Sequence, residues 1–523
     1  MKQWLIIFFI VKSLLLFSQL SQPARWEAEN KFSDEAYSII SLKEEGLALI
    51  RDTEKYNNGN RIWEIVILDV DLEQVWTDKI ELDTELRFLG YEHLPGRLNL
   101  MFRKNLNDRL SAEILDLKLN NFEISRTKTE VKFQLRLTHY TVVEENSVFG
   151  GYVGNEPVIT IFNPKNNTNF IVPGFFLAET ELLDVRPNKN NTFSILLFQK
   201  VQGKRQLIFR AFDKSGNILL EDNIKVDDNK VILSGAASVL QHDEVLIGGA
   251  YGFKNDKQAS GIFTCLIDPF SDQLIHYEEF PQFNHFLDYL PDRKAGKIKE
   301  KVTKRTNEKP PLFKTNVGIH RIEEFASGFA IFGESYLIAS GGSSYSAYSS
   351  PSYNPNTRTY GSPYSYQPFS SRYYNNPYQY PSNTTYVPSE MRMLEGFVIA
   401  YDFSGKRLWD YSIPMNELKA PSLEQVSDVS IVDNVPHFVF KDEDKLKFSN
   451  HAIDSAQVIE PSEIFIQLKN EFEQAKDGNE LEGNIRNWYG NNFYVWGVHR
   501  VKDSRDRTGD SRRVFFINKI KID

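Results

Sequence analysis

A single cysteine, Cys265, leaves this 523-residue chain unable to form an internal disulfide. It sits in the apolar run GIFTCLID, where a small buried core residue is the expected role. A chain of this size held by its core alone must bury a large apolar area, and about 500 residues in one body can do so. Positive charge is also short. Lys and Arg total 61 against 70 Asp and Glu, a formal charge of −9, which argues against a nucleic-acid-binding fold as a whole. Long apolar runs are missing too. The one candidate, Trp4 to Phe17, is interrupted by Lys12 and falls short of the roughly 20 residues a bilayer needs. With Lys2 before it and Ser18 and Ser21 after it, residues 1–22 read as a secretory leader. No cysteine follows that would take a lipid. Secretion without disulfides favours a bacterial periplasm or cell surface over an animal extracellular space.

Signatures of common chemistries are absent as well. There is no H-E-x-x-H, no G-x-S-x-G, no glycine-rich phosphate loop and no C-x-x-C. The nine histidines are scattered, and His139, His320 and His499 fall in or beside expected strands, where a core or channel histidine is the ordinary reading. Asp503, Asp506, Gly509 and Asp510 lack the alternate spacing and terminal Glu of a calcium loop. No cofactor and no metal is expected.

What the chain does have is a repeated unit. In AYDFSGKRLWDYSIPM (400–415) an alternating strand meets a turn at Ser404 and Gly405, and a second strand returns through Leu408 and Trp409. Comparable units begin at Leu68, Leu115, Ile161, Ala211 and Leu266, most with Asp or Asn ending the first strand. Upstream of each lies a short apolar segment, starting at Gly46, Arg97, Asn146, Thr192 and Asp243, with spacings of 51, 49, 46 and 51 residues. Three more segments follow at Gly328, Val435 and Asn491, and each of the eight is preceded by a further candidate strand. Four short strands per period of about 40 to 50 residues is the pattern of propeller blades. An all-β chain with eight four-stranded antiparallel blades is therefore expected over residues 23–523, with seven blades as the alternative. The eighth repeat has three strands, so RWEAENKF at Arg25 is expected to supply the fourth and close the ring by pairing the chain ends.

Glycines recur late in the second-strand segments, at Gly150, Gly151, Gly248, Gly249, Gly333 and Gly497, where missing side chains permit close approach between blades. The unit carrying Tyr401, Asp402, Gly405 and Trp409 resembles the repeat of quinoprotein-like β-propellers, whose D-x-x-x-G-x-x-x-W pattern docks neighbouring blades. Gly216 keeps the turn glycine in its own unit, and Trp76 keeps the tryptophan. The turn here is one residue shorter. Quinone-dependent members typically carry a vicinal cysteine pair, which the lone Cys265 does not supply.

Two insertions break the period. The first, 281–316, holds nine basic residues between Arg293 and Lys314, among them Lys297, Lys299, Lys301, Lys304 and Arg305, against Glu300 and Glu308. That local excess of seven leaves about sixteen negative charges on the rest, so a basic tongue on an acidic body is expected. The second insertion, 341–390, is rich in Ser, Pro and Asn and holds Tyr345, Tyr348, Tyr353, Tyr360, Tyr364, Tyr366, Tyr373, Tyr374, Tyr378, Tyr380 and Tyr386. Its composition reads as weakly ordered, and its tyrosines as adhesive groups for sugars or peptides. Strand alternation puts both insertions, and the loop Lys502 to Arg513, at one end of the ring. The segment Glu463 to Glu473 is expected there as a helix, from Ile464, Phe465, Leu468 and Phe472 at helical spacing.

Long loops gathered at one end of a rigid scaffold are where function usually sits. The expectation is a secreted, non-catalytic envelope protein that binds a protein or glycan through this end. The alternative is an enzyme on glycans or peptides working in the axial funnel, with His320, Glu323, Glu324, Glu334, Arg500 and Asp503 as its candidates.

Overall fold

Asp402 shows how the repeated turn is made. Its Oδ1 accepts from the backbone N–H of Ser404 and of Lys406 and from the Ser404 hydroxyl. These bonds, the Ser404 hydroxyl foremost, hold the Asp402 carboxyl below the usual carboxylate range. Asp213 and Asp69 do the same for the N–H groups two and four residues on. The aspartate that ends each such strand is thus an Asx turn that fixes the hairpin. Gly405 and Gly216 take the left-handed position of the turn, at φ of 79° and 81°. Leu72 holds it in the first unit at φ 61° because its side chain is buried between two blades.

The computed structural model describes residues 20–30, 37–104, 109–175, 177, 179–239, 244–268, 273–304, 310–338, 391–420, 425–450, 461–476, 483–505 and 511–522. Among these the strands form eight antiparallel sheets, each built in chain order around one blade. Blade 1 runs from Ser38 to Asp83, blade 2 from Arg87 to Gln134, blade 3 from Arg136 to Ile171 and blade 4 from Thr180 to Val226. Blade 5 spans Lys230 to Glu279, blade 6 Asn316 to Ala420 and blade 7 Ser427 to Phe465. Blade 8 takes Gly483–Tyr489, Asn492–Asp503 and Ser511–Ile522, and its fourth strand is Leu20–Glu29, in register from Arg25 opposite Asn518 to Glu29 opposite Val514. This strand begins inside the stretch read as a leader, and Leu20 is buried between blades 7 and 8.

The core is not central but radial. Eight apolar clusters lie between successive blades, from blades 1 and 2 round to blades 8 and 1, where Tyr37, Leu49 and Leu68 meet Trp488, Tyr494 and Ile517. The ring is closed. First strands lie against one another at the axis, whereas fourth strands such as Thr168–Ile171 are exposed. Trp409 packs by Phe325 and Tyr411 in the cluster between blades 6 and 7, and Trp76 stacks on Phe122 between blades 1 and 2.

The glycine expectation holds in a split form. A Cβ on Gly248 would come 2.6 Å from Ile331 Cδ1 of the next blade, whereas one on Gly249 would lie 1.9 Å from the Ser234 carbonyl oxygen of its own blade. The expected helix at 463–473 is overturned. Ser462–Phe465 is the fourth strand of blade 7, and Glu473–Ala475 pairs with Asn492–Asp503. Ile464 packs inward while Phe465 is exposed, the alternation of a strand. The N-terminal strand holds this conformation in place: Gln22 Nε2 donates to the Phe465 carbonyl at 2.7 Å and Arg25 Nη1 to that of Gln467 at 2.9 Å.

Candidate functional site

The described residues of the first insertion pack on the ring, which corrects the reading of a projecting basic tongue. Phe280 just before it and Phe283 and Phe286 within it stand three apart, and all three are buried between blades 5 and 6 with Leu287. Phe280 and Phe286 stack at 4.2 Å, and Phe286 lies 5.3 Å from Phe397 of blade 6. Blade 6 also grips the backbone. Asp410 accepts from the N–H of Asn284 at 3.0 Å and of His285 at 2.7 Å, and the Ser412 hydroxyl donates to the His285 carbonyl at 2.8 Å. Helix α1 (Asp292–Thr303) follows, with Ala295 and Ile298 packed on the same cluster and Val302 buried. The chain then returns through a bridge between Thr315 and Ala259, which lies between the second and third strands of blade 5. The two kinds of loop thus adjoin at one end of the ring.

On α1, Lys297 and Lys301 are exposed, as is Lys304 just past its end. Lys304 pairs with Glu300 across one turn. Lys299 behaves differently: half-buried, it donates to the Asn284 carbonyl and ties the helix to the loop before it. Arg305 and the eleven tyrosines from Tyr345 to Tyr386 lie outside the described residues.

Of the candidates for chemistry, the structure brings together one pair. His320 Nε2 is 2.9 Å from Glu334, whose carboxylate also accepts from Val426 and Ser427 of blade 7. Glu323 pairs with Arg321 at 2.7 Å, and Glu324 lies on the same strand. Arg500 is exposed on blade 8, and Asp503 pairs with Arg505 at 2.7 Å, which holds its carboxyl down to about 2. These residues do not converge. His499 lies over Phe516, and burial, then Arg25 and Lys441, push its imidazole down to about 4. Cys265 is buried as expected, its thiol pushed up to about 12 by burial. Among the described residues no group of three or more His, Cys, Asp and Glu is placed to hold a metal ion, and no helix is long and apolar enough to cross a membrane.

The axis carries polar groups that no sequence motif marks. Glu92 of blade 2 accepts from the Thr141 hydroxyl of blade 3 at 2.7 Å, and burial pushes its carboxyl up to about 7 against that bond and the Arg186 charge. Arg186 of blade 4 reaches past the interrupted first strand of blade 5 to the Ile322 carbonyl of blade 6, 3.4 Å away. Buried Asp184 accepts from the Ala237 N–H of blade 5 at 3.0 Å, and burial raises its carboxyl. Arg321 pairs with Asp428 of blade 7, which accepts from the Asn487 N–H of blade 8 at 2.9 Å. Most of this ring fastens one blade to the next. Glu92 sits two residues before the end of the first strand of blade 2, beside the turn into the second, at the end opposite the insertions.

No protein-family model and no curated protein matches the chain. Among solved structures it is similar to the β-propeller domain of the Trilobed protease from Pyrococcus furiosus, at 9% identity and a TM-score of 0.36 over 80% of this chain and 93% of that one. It is similar also to the polysaccharide lyase Uly1, at 8% and 0.37 over 94% and 100%, and to the tricorn protease, at 10% and 0.38 over 85% and 36%. The propeller assignment itself stands on the strand pairing and the eight inter-blade clusters.

Proposed function

We propose that this chain is a secreted, non-catalytic propeller of a bacterial envelope that binds a protein or glycan partner through its insertion-bearing end. The observation that carries the reading is the anchoring of α1. Three phenylalanines, a leucine and the Asp410 carboxylate of blade 6 fix a segment whose outer surface is cationic. Holding like charges one turn apart on a fixed helix costs about 0.2–0.5 kcal/mol per pair, and a partner of opposite sign offsets that cost. Kinship with quinoprotein-like propellers belongs to the same proposal and rests on the unit from Tyr401 to Trp409.

The test is capture of partners from envelope extract by the wild type and by a Lys294→Glu, Lys297→Glu, Lys301→Glu variant, at low and high salt. Capture that falls with salt and is lost in the variant supports the reading. Capture that the variant leaves unchanged overturns it.

One observation favours a second reading, an enzyme on glycans or peptides in the axial funnel: a carboxyl held near neutrality is suited to general acid or base work, and Glu92 has that environment. Hydrolysis of an envelope glycan or peptide that disappears in Glu92→Gln, with a pH profile breaking near 7, would establish it.

A further inference from the structure

We infer that the outer face of α1 is a binding track for a linear anionic polysaccharide bearing one acid group per sugar ring. The inference rests on the proposed binding role and names the partner's chemistry. Viewed down the axis at ~100° per residue, Arg293, Lys294, Lys297, Lys301 and Lys304 all fall within about 100° of arc. Ala295, Ile298 and Val302 occupy the adjoining arc and are turned into the core. Along the axis the cations advance by roughly one turn at a time, Arg293 with Lys294, then Lys297, Lys301 and Lys304, over about 17 Å. Among the described residues Arg293, Lys294, Lys297 and Lys301 form no ion pair, and Glu300 answers Lys304 alone.

Like charges at i, i+4, as in Arg293 with Lys297 and Lys297 with Lys301, each cost a free helix about 0.2–0.5 kcal/mol. Here the helix is held by its buried side and by the Lys299 bond to Asn284, so the row is presented whether or not a ligand is there. A fixed row of cations one turn apart suits a polymer with evenly spaced acid groups and asks little ordering of the protein on binding.

Geometry and charge select among polyanions. An anionic bilayer is a plane and would meet this end of the ring as a whole, whereas these cations lie in one row along a single helix. The exposed arc also offers no apolar side chain to insert into lipid. Single-stranded nucleic acid is recognised by aromatic stacking, and no aromatic lies on the arc. A single polysaccharide strand lying along α1 meets only the cations.

The experiment uses the full chain and four probes: polygalacturonate, uncharged dextran, vesicles containing phosphatidylglycerol, and duplex DNA. Polygalacturonate binding, with no dextran binding and an affinity that falls at least about tenfold between 50 and 200 mM salt, is expected. Lys297→Glu with Lys301→Glu should weaken it at least tenfold while leaving the melting temperature unchanged, since both side chains are exposed. Lys297→Arg with Lys301→Arg should retain it. Vesicles or DNA binding as tightly as polygalacturonate would overturn the inference, as would a charge-reversed variant that binds normally. If polygalacturonate fails to bind but envelope capture still depends on α1, the polymer class is wrong and the binding role stands. If capture ignores α1, both fall.

Discussion

Glu334 and Glu395 stand on neighbouring strands of blade 6 and face opposite ways. Ser335 pairs with Glu395 across the strands, and side chains alternate, so Glu334 turns toward blade 7 and Glu395 toward the first insertion. Both are buried, at 1% and 0% exposure. Glu334 meets four donors: His320 at 2.9 Å, the N–H groups of Val426 and Ser427 at 3.0 and 2.6 Å, and the Ser427 hydroxyl at 2.7 Å. Glu395 meets the Leu287 N–H at 3.4 Å, and burial, with Asp288 adding, pushes its carboxyl well above the usual range. The two faces solve burial differently. Toward blade 7 the carboxyl oxygens are met by neighbouring donors, and toward the insertion burial favours the neutral carboxyl.

Removing the donor-rich carboxylate should have the largest effect. Glu334→Ala strands two N–H groups, a hydroxyl and an imidazole at the seam between blades 6 and 7, and a loss of about 3–5 kcal/mol in urea unfolding is expected. Phe286→Ala attacks the other face. It empties the space against Phe280 and Phe397, with an expected loss of about 3 kcal/mol, and should unseat α1 so that trypsin cuts after Lys297 and Lys301 faster than in the wild type. A stability loss without faster cleavage would mean that α1 is held by its own contacts. Ser427→Ala removes one of the four donors and should cost about 1 kcal/mol, because the Ser427 N–H remains. A loss as large as that of Glu334→Ala would show that the hydroxyl alone carries the seam.

The same contrast marks where the sequence was readable. The blades were, because Asx turns such as that of Asp402 and the spacing of apolar segments are local properties that survive without a structure. The strand Ser462–Phe465 was not: four residues hold too few alternations to outweigh a 3.6-residue fit through Leu468 and Phe472. The missing fourth strand of blade 7 was the signal available. In the first insertion the lysines drew the eye, while Phe280, Phe283 and Phe286, spaced to bury one side of a turn, announced the anchoring. Glu92 left no linear trace, since its environment is assembled from Thr141 and Arg186 of two other blades.

The smallest effect tests the comparison most directly. Glu395→Gln keeps the shape of a group whose neutral form burial favours, so in the ordinary carboxylate range stability should change by less than about 1 kcal/mol. Its dependence on pH should change more. A carboxyl raised in the folded state contributes its full stability below the ordinary carboxylate range, where folded and unfolded chains both hold the proton. As pH climbs from that range toward the raised value, the unfolded chain releases the proton, the folded chain keeps it, and stability falls. Asp184 and Glu92, also raised, share this sign, so the wild-type curve alone cannot isolate Glu395. The difference between wild type and Glu395→Gln can, if urea midpoints are followed from pH 4 upward. The variant should gain on the wild type steadily as pH rises. A flat difference would mean that the Leu287 N–H, the Ser412 hydroxyl and Lys299 leave Glu395 titrating like an exposed carboxylate, and that the two faces of blade 6 do not differ in the way their hydrogen bonds imply.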